Sequence, residues 1–291
     1  MSFKYACIAI LSVALWGVNF VTAKIALLEL DVFMLITMRF LVVACLLIPF
    51  FPKMPARPAL LLLIAFVFSV LHIGANYVGM ALGLDAGMAT LVEQINAPFL
   101  LILSVIFFKE KVGIRSLAGI ALSFIGTFIL LQAPTSVETP LGFFFIVVGA
   151  FFWGVYSLLL RQIEDTNPLA VVAWISLFAV PITACLSFLL EGDHVQKFVS
   201  ASMNAWLGFF YTVFAASIMS HGMWFYLLKR VPIQQLAPTT LLVPLFGVLA
   251  GVILLDEQVA VHMVVGGAVM LLGVAIVIIR RPKVIDTDID A

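Results

Sequence analysis

The stretch WGVNFVTAK, residues 16–24, returns in the second half of the chain as WGVYSLLLR, residues 153–161. A tryptophan, a glycine, a valine and a basic residue agree at one constant offset. Further matches join Glu110, Gly119 and Gly126 to Glu257, Gly266 and Gly273, and Pro98 falls one residue from the position equivalent to Pro244. Self-similarity on this scale indicates two copies of one structural unit.

Apolar residues dominate both copies. The 291-residue chain is 64% hydrophobic and 10% charged, whereas soluble domains carry about 25% charged residues. Its mean hydropathy is +1.24. Runs of about 20 apolar residues cross a hydrocarbon core roughly 30 Å thick. We find ten, at residues 4–26, 32–51, 59–81, 84–108, 114–132, 140–161, 168–190, 203–228, 233–255 and 259–280. The sequence therefore predicts an all-α integral membrane protein with ten transmembrane helices.

The ten helices divide into a first repeat at 4–132 and a second at 140–280, followed by a tail at 281–291. Because five crossings are an odd number, the second copy enters from the opposite side, an inverted repeat typical of secondary transporters.

The basic residues predict the orientation of the chain. With the N-terminus in the cytoplasm, the outer side holds three, Lys24, Arg39 and Lys197. The inner side then holds twelve, Lys4, Lys53, Arg57, Lys109, Lys111, Arg115, Arg161, Lys229, Arg230, Arg280, Arg281 and Lys283. Both termini are therefore expected in the cytoplasm.

Enzymatic and metal-dependent functions find little support in the sequence. Cys7, Cys45 and Cys185 are odd in number and lack ligand spacing, which favours small packing residues over disulfides or a metal site. The chain has no H-E-x-x-H, no G-x-S-x-G and no Walker-type loop. We expect no catalytic residues, metal or cofactor, and no nucleic-acid partner. A membrane-embedded transferase stays open as a less favoured alternative.

Several motifs together resemble the drug/metabolite transporter superfamily, specifically its EamA group. They are LWGVNFVTAKIAL (15–27), MRFLVVA (38–44), FFKEKV (107–112), FFWGVYSLLLR (151–161) and GGAVMLLGVAIVI (266–278), and the similarity covers residues 5–280. The resemblance implies ten helices in two inverted repeats and export of amino acids or related small metabolites across a bacterial inner membrane. It is strongest to exporters of cysteine and O-acetylserine.

The stretch TLVEQINAP, residues 90–98, places a carboxylate in the middle of the fourth apolar run. A charged side chain at that depth costs at least ~2.5–3.5 kcal/mol, so Glu93 should not face lipid. Helical spacing puts Thr90, Glu93 and Asn96 on one stripe beside Gln94, and Pro98 frees the carbonyl of residue 94. We expect this stripe to line a wet cavity, where Glu93 binds substrate or a coupling proton. The alternative is a structural hydrogen bond to a neighbouring helix. Related exporters often have an apolar residue at this position, so the resemblance assigns Glu93 no role.

Helix three supplies a second set of candidates for substrate binding or proton coupling. His72 and Asn76 are one helical turn apart, and Tyr77 follows. Imidazole titrates closest to physiological pH, which makes His72 a candidate proton carrier. A hydrogen bond that only supports packing is the equally weighted alternative.

Aromatic and basic side chains complete the predicted binding residues. Trp16 and Asn19 share a face of helix one, and their equivalents Trp153 and Tyr156 share a face of helix six. These side chains suit a pocket for a zwitterion, or they only pack. Arg39 lies within helix two, where it binds a substrate carboxylate, snorkels outward, or holds a structural or gating position, which the sequence slightly favours.

Prolines and glycines predict how the helices move and pack. Pro98 and Pro244 are candidate hinges for alternating access, with a static kink as the alternative. The glycines of helices five and ten predict close helix packing within the chain or a homodimer contact. A passive channel is the other transport class, and saturable flux with counterflow would distinguish a carrier from it.

Overall fold

The computed structural model describes residues 2–108, 113–131, 140–163, 167–228, 230–231 and 236–279, and helices account for nearly all regular structure within these ranges. Six spans are uninterrupted: α1 Phe3–Leu27, α2 Val32–Leu47, α5 Ile114–Leu131, α6 Pro140–Leu160, α7 Pro168–Leu190 and α10 Val261–Ile279. In the described part of the chain, nine helices are long and apolar enough to cross a membrane, and a tenth apolar stretch, Thr239–Leu255, is shorter. The prediction of an all-helical membrane protein is confirmed.

The other four spans are built from consecutive segments. α3 comprises Pro58–Phe66, a π-helical segment Val67–Gly74, and Ala75–Ala81. α4 comprises Ala86–Glu93 and Asn96–Phe108. α8 comprises Met203–Phe210, a π-helical segment Tyr211–Ser220, and His221–Leu228. α9 comprises a 3₁₀ segment Ala237–Leu242 and Val243–Leu255. Equivalent helices of the two repeats are thus interrupted in equivalent places.

Proline and serine mark several helix starts. Pro58 and Pro168 are the first residues of α3 and α7, where a missing N–H costs no intrahelical hydrogen bond. The Ser202 hydroxyl accepts a 3.3 Å hydrogen bond from the Ala205 N–H at the start of α8. The polar connection predicted at residues 191–202 contains a short helix, His194–Ser200.

Equivalent helices of the two repeats run in opposite directions. Glu257, just after α9, accepts hydrogen bonds from the N–H groups of Ala86 (2.6 Å) and Gly87 (2.8 Å) at the start of α4. Glu191, at the end of α7, accepts a 2.6 Å hydrogen bond from the Phe33 N–H at the start of α2. α4 therefore begins where α9 ends, and α2 begins where α7 ends, as an inverted repeat requires.

A third carboxylate lies at the same end of the bundle. Glu29, just after α1, accepts hydrogen bonds from the N–H (2.6 Å) and the hydroxyl of Ser202 before α8. Free N–H groups at a helix start carry partial positive charge, which a carboxylate stabilises. The end of the bundle that carries Glu29, Glu191 and Glu257 is called the capped face below.

The first helix of each repeat packs against the third and fourth helices of the other repeat. α1 contacts α8 and α9, and α6 contacts α3 and α4. Gly17 allows the first approach, because a Cβ there would lie 2.4 Å from the Val243 carbonyl oxygen. Its equivalent, Gly154, allows the second, with the Leu103 Cδ1 atom 3.0 Å from a built Cβ. The two repeats therefore interlock and share one core.

The remaining helices form two peripheral pairs, α2 with α7 and α5 with α10. A Cβ at Gly126 would lie 2.3 Å from the Met270 nitrogen, and one at Gly273 would lie 2.4 Å from the Ser123 nitrogen. These glycines support close packing within the chain. The three cysteines, by contrast, are free and exposed on the outer surface of the bundle, so the prediction that they are small packing residues is wrong. A small apolar thiol is compatible with an outer surface that faces lipid.

Candidate functional site

A cavity of about 200 Å³ lies between the two repeats. It is larger than the roughly 150 Å³ cavity that admits benzene in an engineered protein core. Ten of the eleven residues predicted to bind substrate or couple protons line it: Trp16, Asn19, Arg39, His72, Asn76, Tyr77, Glu93, Gln94, Asn96 and Trp153. The structure thus brings side chains from α1, α2, α3, α4 and α6 to one place.

The break in α4 shapes one wall of this cavity. Its first segment ends at Glu93, and the second begins at Asn96. The Asn96 side-chain amide donates a 2.6 Å hydrogen bond to the Glu93 carbonyl, and the Ala97 N–H lies 3.3 Å from the Gln94 carbonyl. The carbonyl that the downstream proline frees is therefore paired within the break. Discontinuous helices of this kind form binding sites near the bilayer midplane in many transporters.

The predicted stripe of Thr90, Glu93 and Asn96 is not continuous. Thr90 donates its hydroxyl hydrogen to the Gly87 carbonyl at 2.7 Å, and its side chain contacts Gly247 of α9 rather than the cavity. The break between Glu93 and Asn96 changes the helical register, so a regular spacing of 100° per residue does not apply across it. Thr90 instead packs at the crossing of α4 and α9, in the space that the missing Cβ of Gly247 leaves.

Glu93 is buried, with 7% of its surface exposed. Neither of its carboxylate oxygens has a hydrogen-bond partner among the described residues. The nearest ionisable group is His72, whose Nδ1 atom lies 3.7 Å from Glu93 Oε1. Both roles considered for Glu93, substrate or proton binding and a structural hydrogen bond to a neighbouring helix, stay predictions.

His72 lies in the π-helical segment of α3 and contacts α6. Its Nδ1 atom lies 3.0 Å from the Gly149 carbonyl oxygen. Because a carbonyl oxygen can only accept, this hydrogen bond requires a hydrogen on Nδ1. One turn on, the Asn76 side-chain amide donates a 3.0 Å hydrogen bond to the His72 carbonyl. π-Helical turns occur often at functional sites, and His221 directly follows the equivalent turn in α8.

Arg39 is held inside the bundle. Only 5% of its surface is exposed, and its guanidinium donates to the Ser217 hydroxyl and the Tyr77 hydroxyl, both at 2.9 Å. The outward, snorkelling orientation considered from the sequence is therefore wrong. These contacts join α2 to α8 and α3, and the structural or gating role that the sequence slightly favoured stays a prediction.

Aromatic rings form the apolar wall. Trp153 packs on His72 with ring centroids 4.9 Å apart, and Trp16 packs on His221 at 5.2 Å. Tyr156 is the one predicted residue that does not line the main cavity. It stacks on Phe68 at 4.4 Å and lines an adjacent cavity of about 20 Å³. Phe68 lines both cavities, and Tyr156 packs against the side of the Phe68 ring that faces away from the main cavity.

The sequence analysis did not select eight residues that line the cavity: Phe20, Phe68, Ile73, Ala97, His221, Thr240, Val243 and Ile278. Most are apolar and indistinguishable in sequence from packing residues. The repeat offered a signal for one of them, because His221 and Tyr226 repeat the spacing of His72 and Tyr77.

An ion-pair cluster lies at the capped face, where α1, α4 and α9 meet. The Lys24 ammonium is 3.3 Å from Asp85 Oδ1 and 3.4 Å from Glu257 Oε1. We refer to these three residues as the Lys24 cluster. The cavity reaches toward the opposite face instead, because its lining includes Ile278 near the end of α10 and Thr240 near the start of α9.

Comparisons with known proteins agree with this architecture. The model of the EamA-like transporter family matches residues 3–132 and 140–279. The chain belongs to the EamA-like transporter family. This EamA-like chain is 32% identical to a protein of Salmonella typhimurium named "Probable amino-acid metabolite efflux pump", with 95% of each covered. An Escherichia coli protein of the same name is also 32% identical, over 95% of each chain.

More distant relatives extend the likeness. An "Uncharacterized transporter" of Archaeoglobus fulgidus is 26% identical, covering 94% of this EamA-like chain and 97% of its own. A solved crystal structure superimposes with a TM-score of 0.67 at 16% identity, covering 95% of this chain and 96% of that one. At that identity the likeness shows the fold alone. The family and its relatives indicate a multi-pass membrane transporter rather than an enzyme.

Proposed function

We propose that this protein is a secondary transporter that exports amino acids or related small metabolites across a bacterial inner membrane. The observation that carries the proposal is the central cavity, which residues of both repeats line with acidic, amide, imidazole and aromatic side chains. The names of the Salmonella and Escherichia coli relatives support this substrate class.

The mechanism we propose is alternating access across ten transmembrane helices with both termini in the cytoplasm. The Lys24 cluster fastens α1, α4 and α9 at the capped face, while the cavity reaches toward the opposite face. With the predicted orientation, the closed side is the periplasm and the substrate enters from the cytoplasm. Pro98 and Pro244 lie at the interruptions of α4 and α9 and are the proposed hinges.

Glu93 is the proposed centre of binding or proton coupling. It is a buried carboxylate without a hydrogen-bond partner in the described structure, and His72 lies beside it. Buried ionisable residues in membranes mark substrate and proton pathways. An energy source from gradients is consistent with a chain that carries no nucleotide-binding loop.

Counterflow in proteoliposomes tests the proposal. Vesicles loaded with unlabelled cysteine, O-acetylserine, threonine or phenylalanine should take up the same labelled compound, and the uptake should saturate. An imposed pH gradient should then drive accumulation if protons are coupled. Flux that rises linearly with concentration and shows no counterflow would instead support a passive channel.

A further inference from the structure

We propose that the cavity recognises its substrate through a protonated amine, and that a carboxylate on the substrate is dispensable for binding. The inference rests on the proposed transport function and narrows its substrate class to primary ammonium compounds. It is drawn from the fully buried side-chain atoms of the described cavity residues that have no hydrogen-bond partner, all of which are oxygen acceptors.

Three side chains of the cavity carry buried oxygen atoms that lack a hydrogen-bond partner among the described residues. They are both carboxylate oxygens of Glu93, Oδ1 of Asn76 and Oδ1 of Asn19. Asn76 is 3% exposed and Glu93 is 7% exposed. The three residues come from α3, α4 and α1, so these oxygens converge from different helices on one cavity.

Three donors close to these oxygens are already used within the protein. The Asn76 amide nitrogen donates to the His72 carbonyl at 3.0 Å, which also fixes the orientation of that amide. The Asn96 amide nitrogen donates to the Glu93 carbonyl at 2.6 Å. His72 Nδ1 donates to the Gly149 carbonyl at 3.0 Å. Among the described residues that line the cavity, the fully buried side-chain atoms without a partner are therefore all oxygen acceptors.

An ammonium group matches this arrangement in both charge and hydrogen bonding. It has three N–H donors and no acceptor, and its charge compensates the buried carboxylate. A proton on Glu93 would supply a single O–H donor, which can pair with at most one of the two asparagine oxygens. A substrate carboxylate would bring further acceptors to these unpaired oxygens and no donor.

Arg39 already donates to two protein partners. Its Nε and Nη1 atoms donate to Ser217 and Tyr77, which hold the guanidinium between α8 and α3. The aromatic rings of Trp16, Phe68 and Trp153 line the same cavity and offer an apolar surface to the rest of the substrate.

Three compounds with the same aromatic ring test the proposal: phenylalanine, phenethylamine and 3-phenylpropionate. The first has both charged groups, the second only the amine and the third only the carboxylate. Their affinities are measured by calorimetry on the purified full-length protein. We expect phenethylamine to bind within about tenfold of phenylalanine. 3-Phenylpropionate should bind at least roughly 100-fold more weakly, because it leaves buried acceptors unpaired.

Glu93→Gln provides the matched variant. It keeps the shape of the side chain but replaces an acceptor oxygen with an NH₂ donor and removes the charge. Phenethylamine affinity should fall roughly 10- to 100-fold, and 3-phenylpropionate affinity should not fall. Thr127→Ala, in the peripheral helix α5 outside the cavity, should change neither affinity. Gel filtration of each variant confirms that it remains folded.

Two outcomes overturn the proposal. One is preferential binding of 3-phenylpropionate, and the other is no binding of either amine at millimolar concentration by the folded wild-type protein. If phenethylamine binds but no amino acid shows counterflow, the ammonium site stands and the export proposal fails. If phenylalanine shows counterflow and phenethylamine neither binds nor competes, the transport function stands and the ammonium site fails.

Discussion

Glu93 has an environment that an ordinary core position would not tolerate, because its carboxylate is buried without a hydrogen-bond partner in the described structure. If it binds an ammonium group, Glu93→Gln should lower both counterflow and gradient-driven uptake about tenfold or more. The measurement is initial uptake into proteoliposomes at two external pH values. Unchanged transport with unchanged pH dependence would contradict the assignment.

Gly149 matters to the same site through the space it leaves. A Cβ there would lie 2.5 Å from the Asn76 side-chain nitrogen and 3.1 Å from the His72 carbonyl oxygen. Gly149→Ala should therefore displace the Asn76 amide and raise the substrate KM, with a destabilisation of about 1–3 kcal/mol from overpacking. Gly222→Ala is the control, because none of the described atoms lies within 4 Å of its Cβ position. Equal transport by both variants would contradict this role.

Helix crossings give a prediction at the scale of elements. Gly17 and Gly154 are equivalent by the repeat, yet their surroundings differ. A Cβ at Gly17 would meet the backbone oxygen of Val243 at 2.4 Å, whereas one at Gly154 would meet the mobile end of Leu103 at 3.0 Å. Gly17→Ala should lower the melting temperature in detergent, with a cost of about 1–3 kcal/mol, and Gly154→Ala should cost less. An equal loss of melting temperature would mean that the helices move apart as easily at the Gly17 crossing as at the Gly154 crossing, which would contradict this prediction.

The start of α8 should respond to acid through Glu29. Hydrogen bonds from Ser202 hold the pKa of the Glu29 carboxyl below its usual value near 4.5. A carboxyl with a lowered pKa stabilises the folded state above its ordinary pKa, and that contribution is lost as pH falls through the lowered value. Glu29→Gln should therefore flatten the fall in melting temperature between about pH 5 and 3. Thermal scans of both proteins over this range measure it, and identical profiles would contradict it.

Most helices could be predicted from the sequence, since a bilayer fixes their length and composition. The beginnings and ends of α1 and α7 were predicted within one residue. The π-helical turns of α3 and α8 could not be, because apolar residues satisfy α- and π-helical turns equally well. The break after Glu93 was only partly predictable, since the downstream proline indicated a bend but not the change of register that moved Thr90 out of the cavity.

At the scale of the whole molecule, the Lys24 cluster should bias which face is closed. Lys24→Ala removes two ion pairs, each worth up to about 1 kcal/mol at a partly exposed position. For each kcal/mol lost, the population that is open at the capped face should rise up to about fivefold. The shift is measured with a cysteine at Ala97, in a background without Cys7, Cys45 and Cys185. An impermeant maleimide added at the capped face should label this cysteine faster in the Lys24→Ala variant.

Lys197→Ala is the control for this experiment. It removes another ion pair at the capped face, to Asp31 at 2.6 Å, but not one at the junction of α1, α4 and α9. Its labelling rate should stay near that of the parent protein. Equal acceleration by both variants would show that the effect is general to the face and not specific to the Lys24 cluster.

Each polar residue of the cavity could be predicted on its own. The repeat predicted only roughly that these residues meet in one place. Glu93, His72 and Asn76 were identifiable because polar side chains are costly in lipid. The partners of Lys24 were not, since Asp85 and Glu257 are distant in sequence and meet it only after the repeats interlock. The unpaired acceptor oxygens could be identified only from the structure, because the sequence shows which atoms are present but not which of them remain unpaired.

The interlocking of the repeats has a consequence for how the protein is made. The ribosome delivers α1 to the membrane long before α8 and α9, against which α1 packs, have been synthesised. The groove around Gly17 must therefore face lipid or a membrane chaperone during translation. Insertion proceeds helix by helix, but assembly of the cavity waits until the last helices arrive. A chain released early, after α5, would leave each of its five helices without its packing partner from the second repeat.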